Sequence, residues 1–116
     1  MHRYVCRVEG IEPLRLPRVY RAHMMCNSLN AVIEMHEDIM EIEKGKEALV
    51  EVTNSKEKCL EHGFCGKGYV VSVTKLNGEH RVIISIGGLL AIFKSPEKQL
   101  ELNVMDECYI GISVKK

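Results

Sequence analysis

Apolar and polar residues alternate with a period of two along most of this chain, the signature of strands that turn one side to a core and the other to solvent. Near the start, Tyr4, Cys6 and Val8 alternate with Arg3, Val5 and Arg7, which predicts a strand over residues 3–9 with the first three residues inward. Glu12-Pro13 to Leu16-Pro17 reads as a loop, because each proline restricts itself and its predecessor. Arg18 to Met25 is extended again, and Asn27-Ser28 is a turn signal. From Leu29 onward Ala31, Ile33 and Met35 alternate with Asn30, Val32, Glu34 and His36. Ile33, His36, Glu37 and Met40 also fit a helical period, which makes a helix from Leu29 to Ile42 the competing reading, and the reading preferred is strand through His36 with a loop or short extended piece from Glu37 to Glu43. Lys44-Gly45-Lys46 is a turn, and Ala48, Val50 and Val52 mark the next strand. Thr53 to Gly63 is polar and reads as the longest loop, a flexible segment at about 53–65.

The run from Gly66 to Phe93 organises the remainder. Tyr69, Val71 and Val73 alternate with Val70, Ser72 and Thr74, and Asn77-Gly78 is the strongest short hairpin signal, since a type I′ turn needs positive φ at both central residues. Val82 to Ile86 is apolar at nearly every position, which predicts cover on both faces. Gly87-Gly88 then interrupts an apolar run that continues through Leu89, Leu90, Ile92 and Phe93. A glycine pair inside a strand predicts a bulge or a bend where a sheet turns a corner to close a barrel. Ser95-Pro96-Glu97 is a turn with the cap and proline that open a helical turn. Cys108, Ile110, Ile112 and Val114 form a closing strand that runs into Lys115-Lys116. The fold class expected is all-β, an antiparallel barrel formed as a single domain over 1–116, and no internal repeat is visible.

Composition narrows this little. The chain has 116 residues, 46% hydrophobic and 28% charged, as an ordinary globular domain does. No apolar run approaches the ~20 residues of a membrane-spanning helix, and the start of the chain lacks the apolar core of a signal peptide, so an intracellular protein is expected. Cys6, Cys26, Cys59, Cys65 and Cys108 are scattered and odd in number, which fits reduced thiols in a reducing compartment better than a disulfide framework.

Sixteen basic and sixteen acidic side chains give zero net charge, and there is no Trp. A free-standing nucleic-acid binder usually shows a basic surface and stacking aromatics. Arg3, Arg7, Arg15, Arg18 and Arg21 come early, whereas Glu34, Glu37, Asp38, Glu41 and Glu43 gather later, an arrangement that allows a basic and an acidic side.

Candidate chemistry is sparse. Cys59-x-x-His62-x-x-Cys65 has metal-binding residue types, but structural zinc wants four ligands, and Cys26 or His80 would have to reach in. These are weak candidates, and no metal or other cofactor is expected. His23, His36, His62 and His80 show no partner pattern for a catalytic constellation, so no catalytic residue is assigned.

Ser85-x-Gly87-Gly88-Leu89-Leu90, preceded by Gly66-x-x-Tyr69 and followed by Leu100, Asp106 and the closing strand, resembles the eighth-subunit family of multisubunit DNA-dependent RNA polymerases. This small subunit is common to the three nuclear polymerases and has a counterpart in some archaea. Ile11-Glu12-Pro13, Val19-Tyr20-Arg21-x-His23 and Lys44-Gly45-Lys46 extend the likeness over essentially the whole chain. The resemblance implies an OB-type Greek-key barrel. It also implies a non-catalytic structural role in transcription, packing on the largest polymerase subunit and supporting assembly. Gly87, Gly88, Leu89 and Leu90 are the expected interface. The alternative is a free-standing OB-fold protein that binds single-stranded nucleic acid, and a third reading is a small zinc-dependent regulator. Where nuclear members carry a long acidic insertion, only Thr53 to Cys65 stands here. The expectation is a compact eukaryotic member in the nucleus, with an archaeal, cytoplasmic protein as the alternative.

Overall fold

The structure, a computed structural model, describes residues 2–115; Lys116, expected at the end of the closing strand, lies outside them. The alternating segments form strands β1 (His2–Pro13), β2 (Val19–Cys26), β3 (Asn30–His36) and β4 (Glu47–Thr53), then a short helix α1 (Lys56–Cys59). Four more strands follow: β5 (Phe64–Leu76), β6 (Glu79–Ile86), β7 (Leu89–Ser95) and β8 (Glu107–Val114). All pairings are antiparallel and close into a barrel in the order β1-β2-β3-β7-β6-β5-β8-β4. The all-β expectation holds, and the barrel is consistent with an OB-type fold.

Two Greek keys make the ring. In each, three strands follow one another and the fourth returns beside the first, giving the orders 4-1-2-3 and 8-5-6-7. The keys meet where β3 pairs with β7 and β4 with β8, and both seams are symmetric: Ala31 faces Phe93 while Ile33 faces Ala91, and Val50 faces Ile112 while Val52 faces Ile110. Each long strand has its bulge at the same place, between Val8 and Gly10 in β1 and between Val70 and Ser72 in β5. The turn before each fourth strand also repeats. Val8 exchanges backbone hydrogen bonds with Gly45 and Lys46, and Val70 does so with Met105 and Asp106. The chain is thus an internal structural repeat. The sequence hides it because the matched positions share only inward or outward facing: Cys6 corresponds to Gly68, and Gly45 to Met105.

The core is filled from both keys. Val8, Ile33, Val50, Val70, Ile84, Ile110 and Ile112 are completely or almost completely buried. Tyr4, Cys6 and Val8 point inward, as the alternation predicts. β1 runs on through Pro13, which sits at the strand end where a missing N–H is tolerated.

Four local expectations are corrected. Gly87-Gly88 is neither a bulge nor a barrel corner but a two-residue hairpin turn, with Ile86 paired to Leu89 and positive φ at both glycines. It matches Asn77-Gly78, also positive at both residues. Val82 to Ile86 is covered on one side only: Val82 and Ile84 are buried, whereas Ile83, Ser85 and Ile86 are partly exposed. Ser95-Pro96-Glu97 opens no helical turn: Ser95 ends β7, Pro96 and Glu97 form a bend, and the Ser95 hydroxyl donates to the Glu97 carbonyl rather than capping a helix. The 53–65 segment is shorter than read, since Thr53 ends β4, α1 occupies its middle and Phe64 and Cys65 begin β5.

Candidate docking surface

The Gly87-Gly88 turn stands at one end of the barrel, and its neighbours line the outer wall. Ala91, Phe93, Val82, Ile84 and Val70 face the core, so the residues between them face out. By register, one outward row runs Val32, Ile92, Ile83, Ser72 across β3, β7, β6 and β5, and a second runs Leu90, Ser85, Tyr69. Tyr69 and the bulge residue Val71 are 45% and 49% exposed. Leu89, Leu90, Ile83 and Ile92 are half-buried. A solvent-facing side of an antiparallel sheet is normally polar, and a contiguous apolar patch marks an interaction site more often than not. β3 and β7 stop pairing after Ile33 and Ala91, and there the Glu34 carboxylate accepts from the Leu90 backbone N–H at 2.9 Å. That bond fixes the start of β7 beside the turn. A Cβ at Gly87 or Gly88 would meet nothing within 4 Å, so positive φ, not crowding within this chain, is what calls for glycine there.

The loop constellation is built differently from a metal site. Cys59 and Cys65 are joined by a disulfide, and so are Cys6 and Cys26, which face each other across β1 and β2. Sulfurs bonded to each other have no thiolate to offer a metal. The expectation of reduced thiols is therefore corrected, and with it the argument from cysteine usage for a reducing compartment. His80 lies on β6 and does not join the loop residues. Among the described residues no three His, Cys, Asp or Glu side chains are placed to hold a metal ion. Cys108 is the free cysteine; burial above all, and then the Asp106 charge, push its thiol up to about 11, which leaves it protonated and unreactive.

His62 has another role. Its Nδ1 lies 2.8 Å from the Ser113 hydroxyl and its Nε2 lies 2.8 Å from a Glu51 carboxylate oxygen, with imidazole and carboxylate both almost fully buried. A Cβ on Gly111 would sit 2.4 Å from the imidazole Cδ2. The ring therefore lies against the bare backbone of β8 and latches the α1 segment onto β4 and β8. The signal available in the sequence was Gly111 inside an otherwise strong strand, which marks a close approach. Ser55 caps α1 by accepting from the Lys58 N–H at 3.3 Å.

Folding also reduces the charge segregation seen along the chain. Arg18 pairs with Glu37 and Asp38, Arg21 with Glu12 and Glu34, and Arg3 approaches Glu51. Three early arginines thus neutralise carboxylates instead of forming a basic side. A side-chain hydrogen bond from His23, helped by the Arg21 charge, holds the Glu12 carboxyl below the usual carboxylate range.

Comparison with known proteins adds identity to this geometry. The family model for RpbG, the G-type subunit of DNA-directed RNA polymerase, matches residues 1–116. No curated protein matches the chain. Among solved structures, the cytoplasmic molybdate-binding protein ModG is similar over 98% of this chain and 93% of its own, at 11% identity and a TM-score of 0.40. A likeness at that level carries no argument.

Proposed function

Because the chain belongs to the RpbG family of DNA-directed RNA polymerase subunits, we propose that it is a non-catalytic structural subunit that packs on the largest polymerase subunit and supports assembly. The surface it uses is the outer wall of β5, β6 and β7 with the Gly87-Gly88 turn and Leu89-Leu90 at its end. The observation that carries this reading is that five of the seven residues in the two outward rows are apolar, with Tyr69 and the neighbouring bulge residue Val71 about half exposed on a side where solvent favours polar residues. The open space around both glycines leaves room for a neighbour's backbone to come close. The protein works wherever its polymerase does, in the nucleus of a eukaryote or the cytoplasm of an archaeon.

The test is reconstitution with polymerase lacking this subunit, followed by native mass spectrometry. Gly87→Val and Gly88→Val each place a branched side chain at positive φ, and a loss of about 1–2 kcal/mol is expected from that strain alone. Leu90→Lys does not touch the turn and should keep the thermal midpoint while weakening incorporation. Wild-type incorporation of Leu90→Lys and both valine variants would remove this wall as the interface. Sub-micromolar binding of a single-stranded oligonucleotide by the isolated chain, abolished by Tyr69→Ala, would instead favour the free-standing OB-fold reading.

A further inference from the structure

A second surface lies in the first Greek key, where β1 passes into β2, at the same end of the barrel as the Gly87-Gly88 turn. A groove of about 590 Å³ opens between the β1–β2 connection and the segment that follows β3. Its apolar lining comes from Ile11, Leu14, Leu16, Val19 and Ile42, with Pro13 and Pro17 stiffening one wall and Glu37 and Glu41 on the other. Leu16 is 67% exposed. Both walls are held in place. Arg18 adopts φ +70, rare for a side chain of this size, and its carbonyl accepts from the Glu37 N–H at 2.8 Å while its guanidinium pairs with Glu37 and Asp38. The Tyr20 hydroxyl donates to the Met40 carbonyl and accepts from the Ile42 N–H. A groove kept open by this many bonds costs a partner little to enter.

The internal repeat shows the same place nearly closed in the second key. In the second key the corresponding place lies between the β5–β6 hairpin and the segment after β7. There the chain's own Lys98, Gln99 and Leu100 close over Val73 and Val82, Leu100 is buried, and only about 20 Å³ is left. The first key has a connection of five residues between β1 and β2 where the second has the two-residue Asn77-Gly78 turn, and its walls stand apart.

We propose that this groove is a second docking site on the polymerase, and that it receives an apolar segment of a neighbouring polymerase subunit carrying a lysine or arginine. The apolar floor takes the segment's side chains. Glu41, exposed and in no ion pair among the described residues, takes its positive charge, and the complementary charge sets orientation. This rests on the reading of the chain as a polymerase subunit but not on the outer wall described above.

The experiment uses the full chain and purified polymerase lacking this subunit. Leu16→Glu and Glu41→Lys change solvent-facing side chains and should leave the thermal midpoint alone, while each lowers affinity for the polymerase at least tenfold. A photo-crosslinker at position 16 should link to one subunit within an apolar stretch that contains Lys or Arg. Wild-type affinity of both variants, or a crosslink to nucleic acid, overturns the proposal and leaves the outer-wall reading standing. If the wild-type chain does not associate with the polymerase at all, the parent reading falls and this one with it.

Discussion

Residues His2–Thr53 and Phe64–Val114 follow the same path around the barrel and hold it by different means. Where the first key staples β1 to β2 through Cys6–Cys26, the second has Gly68 opposite β6, and there a Cβ would press against Ile84 at 2.6 Å. Where the first key turns into its fourth strand on Gly45 at φ +87, the second turns on Met105 at φ +80. The barrel thus demands a bulge, a left-handed residue and an inward alternation at fixed places, and it is indifferent to which residues supply the rest. The halves differ most where closure asks nothing: the latched α1 segment that joins the two keys, and the groove beside the β1–β2 connection.

The largest test of this comparison is a cavity at matched core sites. Ile110→Ala should cost about 2–5 kcal/mol, and its counterpart Val50→Ala less, because fewer atoms leave. Both residues are fully buried. Since the β3–β7 and β4–β8 seams join the keys, each variant should still unfold in one transition in urea. Two resolved transitions would mean that the keys are separate folding units.

Next in size are the cross-links. On the chain-entropy account, Cys6–Cys26, with a separation of 20, should stabilise by about 3 kcal/mol, and Cys59–Cys65, with a separation of 6, by about 2 kcal/mol. The double variants Cys6→Ser/Cys26→Ser and Cys59→Ser/Cys65→Ser, followed by thermal melting, measure both. Thiol titration of the unfolded, unreduced chain should find Cys108 alone; finding all five cysteines would erase this difference between the keys.

Smaller still is the exchange at the left-handed turns. Gly45→Ala should destabilise and Met105→Gly should stabilise, each by about 1 kcal/mol, because only glycine holds that φ without Cβ strain. Effects of the same sign at both positions would break the equivalence of the two turns.

The smallest effect is on pH. Glu12 titrates below its usual range in the folded chain, so its contribution is present above the unfolded pKa and fades as pH falls through the folded one. Its counterpart in the second key is Thr74, which does not titrate. Glu12→Gln should therefore slightly flatten the acid side of the stability profile, and Glu12 is exposed enough that the change is small.

Alternation made most strands legible, since it reports which side of a strand meets the core, and the ambiguous stretch after Leu29 is a strand through His36. Asn77-Gly78 was legible because its chemistry matches one turn type. Gly87-Gly88 was misplaced because a turn with no polar residue looks like a fault inside a long strand. Its counterpart by register is Asn27-Ser28, which a polar pair announces as a turn. The disulfides were not legible, because Cys6 and Cys26 meet only through the register of β1 with β2. The His62 latch depends on Gly111, Glu51 and Ser113, three residues brought under one ring by folding alone.

The closed ring bears on how the protein is made. When ribosomal synthesis has passed β4, that strand and β3 are each still without the second neighbour they will have, and those neighbours, β8 and β7, lie about sixty residues downstream. Until they emerge, the nascent first key presents two bare strand edges, the feature that most readily recruits other chains. Closure waits for β8, which must insert between β4 and β5, so the last contacts to form are also among the most distant in sequence and the slowest to find. A chain stalled midway through translation is therefore expected to be a substrate for chaperones, whereas the finished barrel, with every strand flanked on both sides, is not.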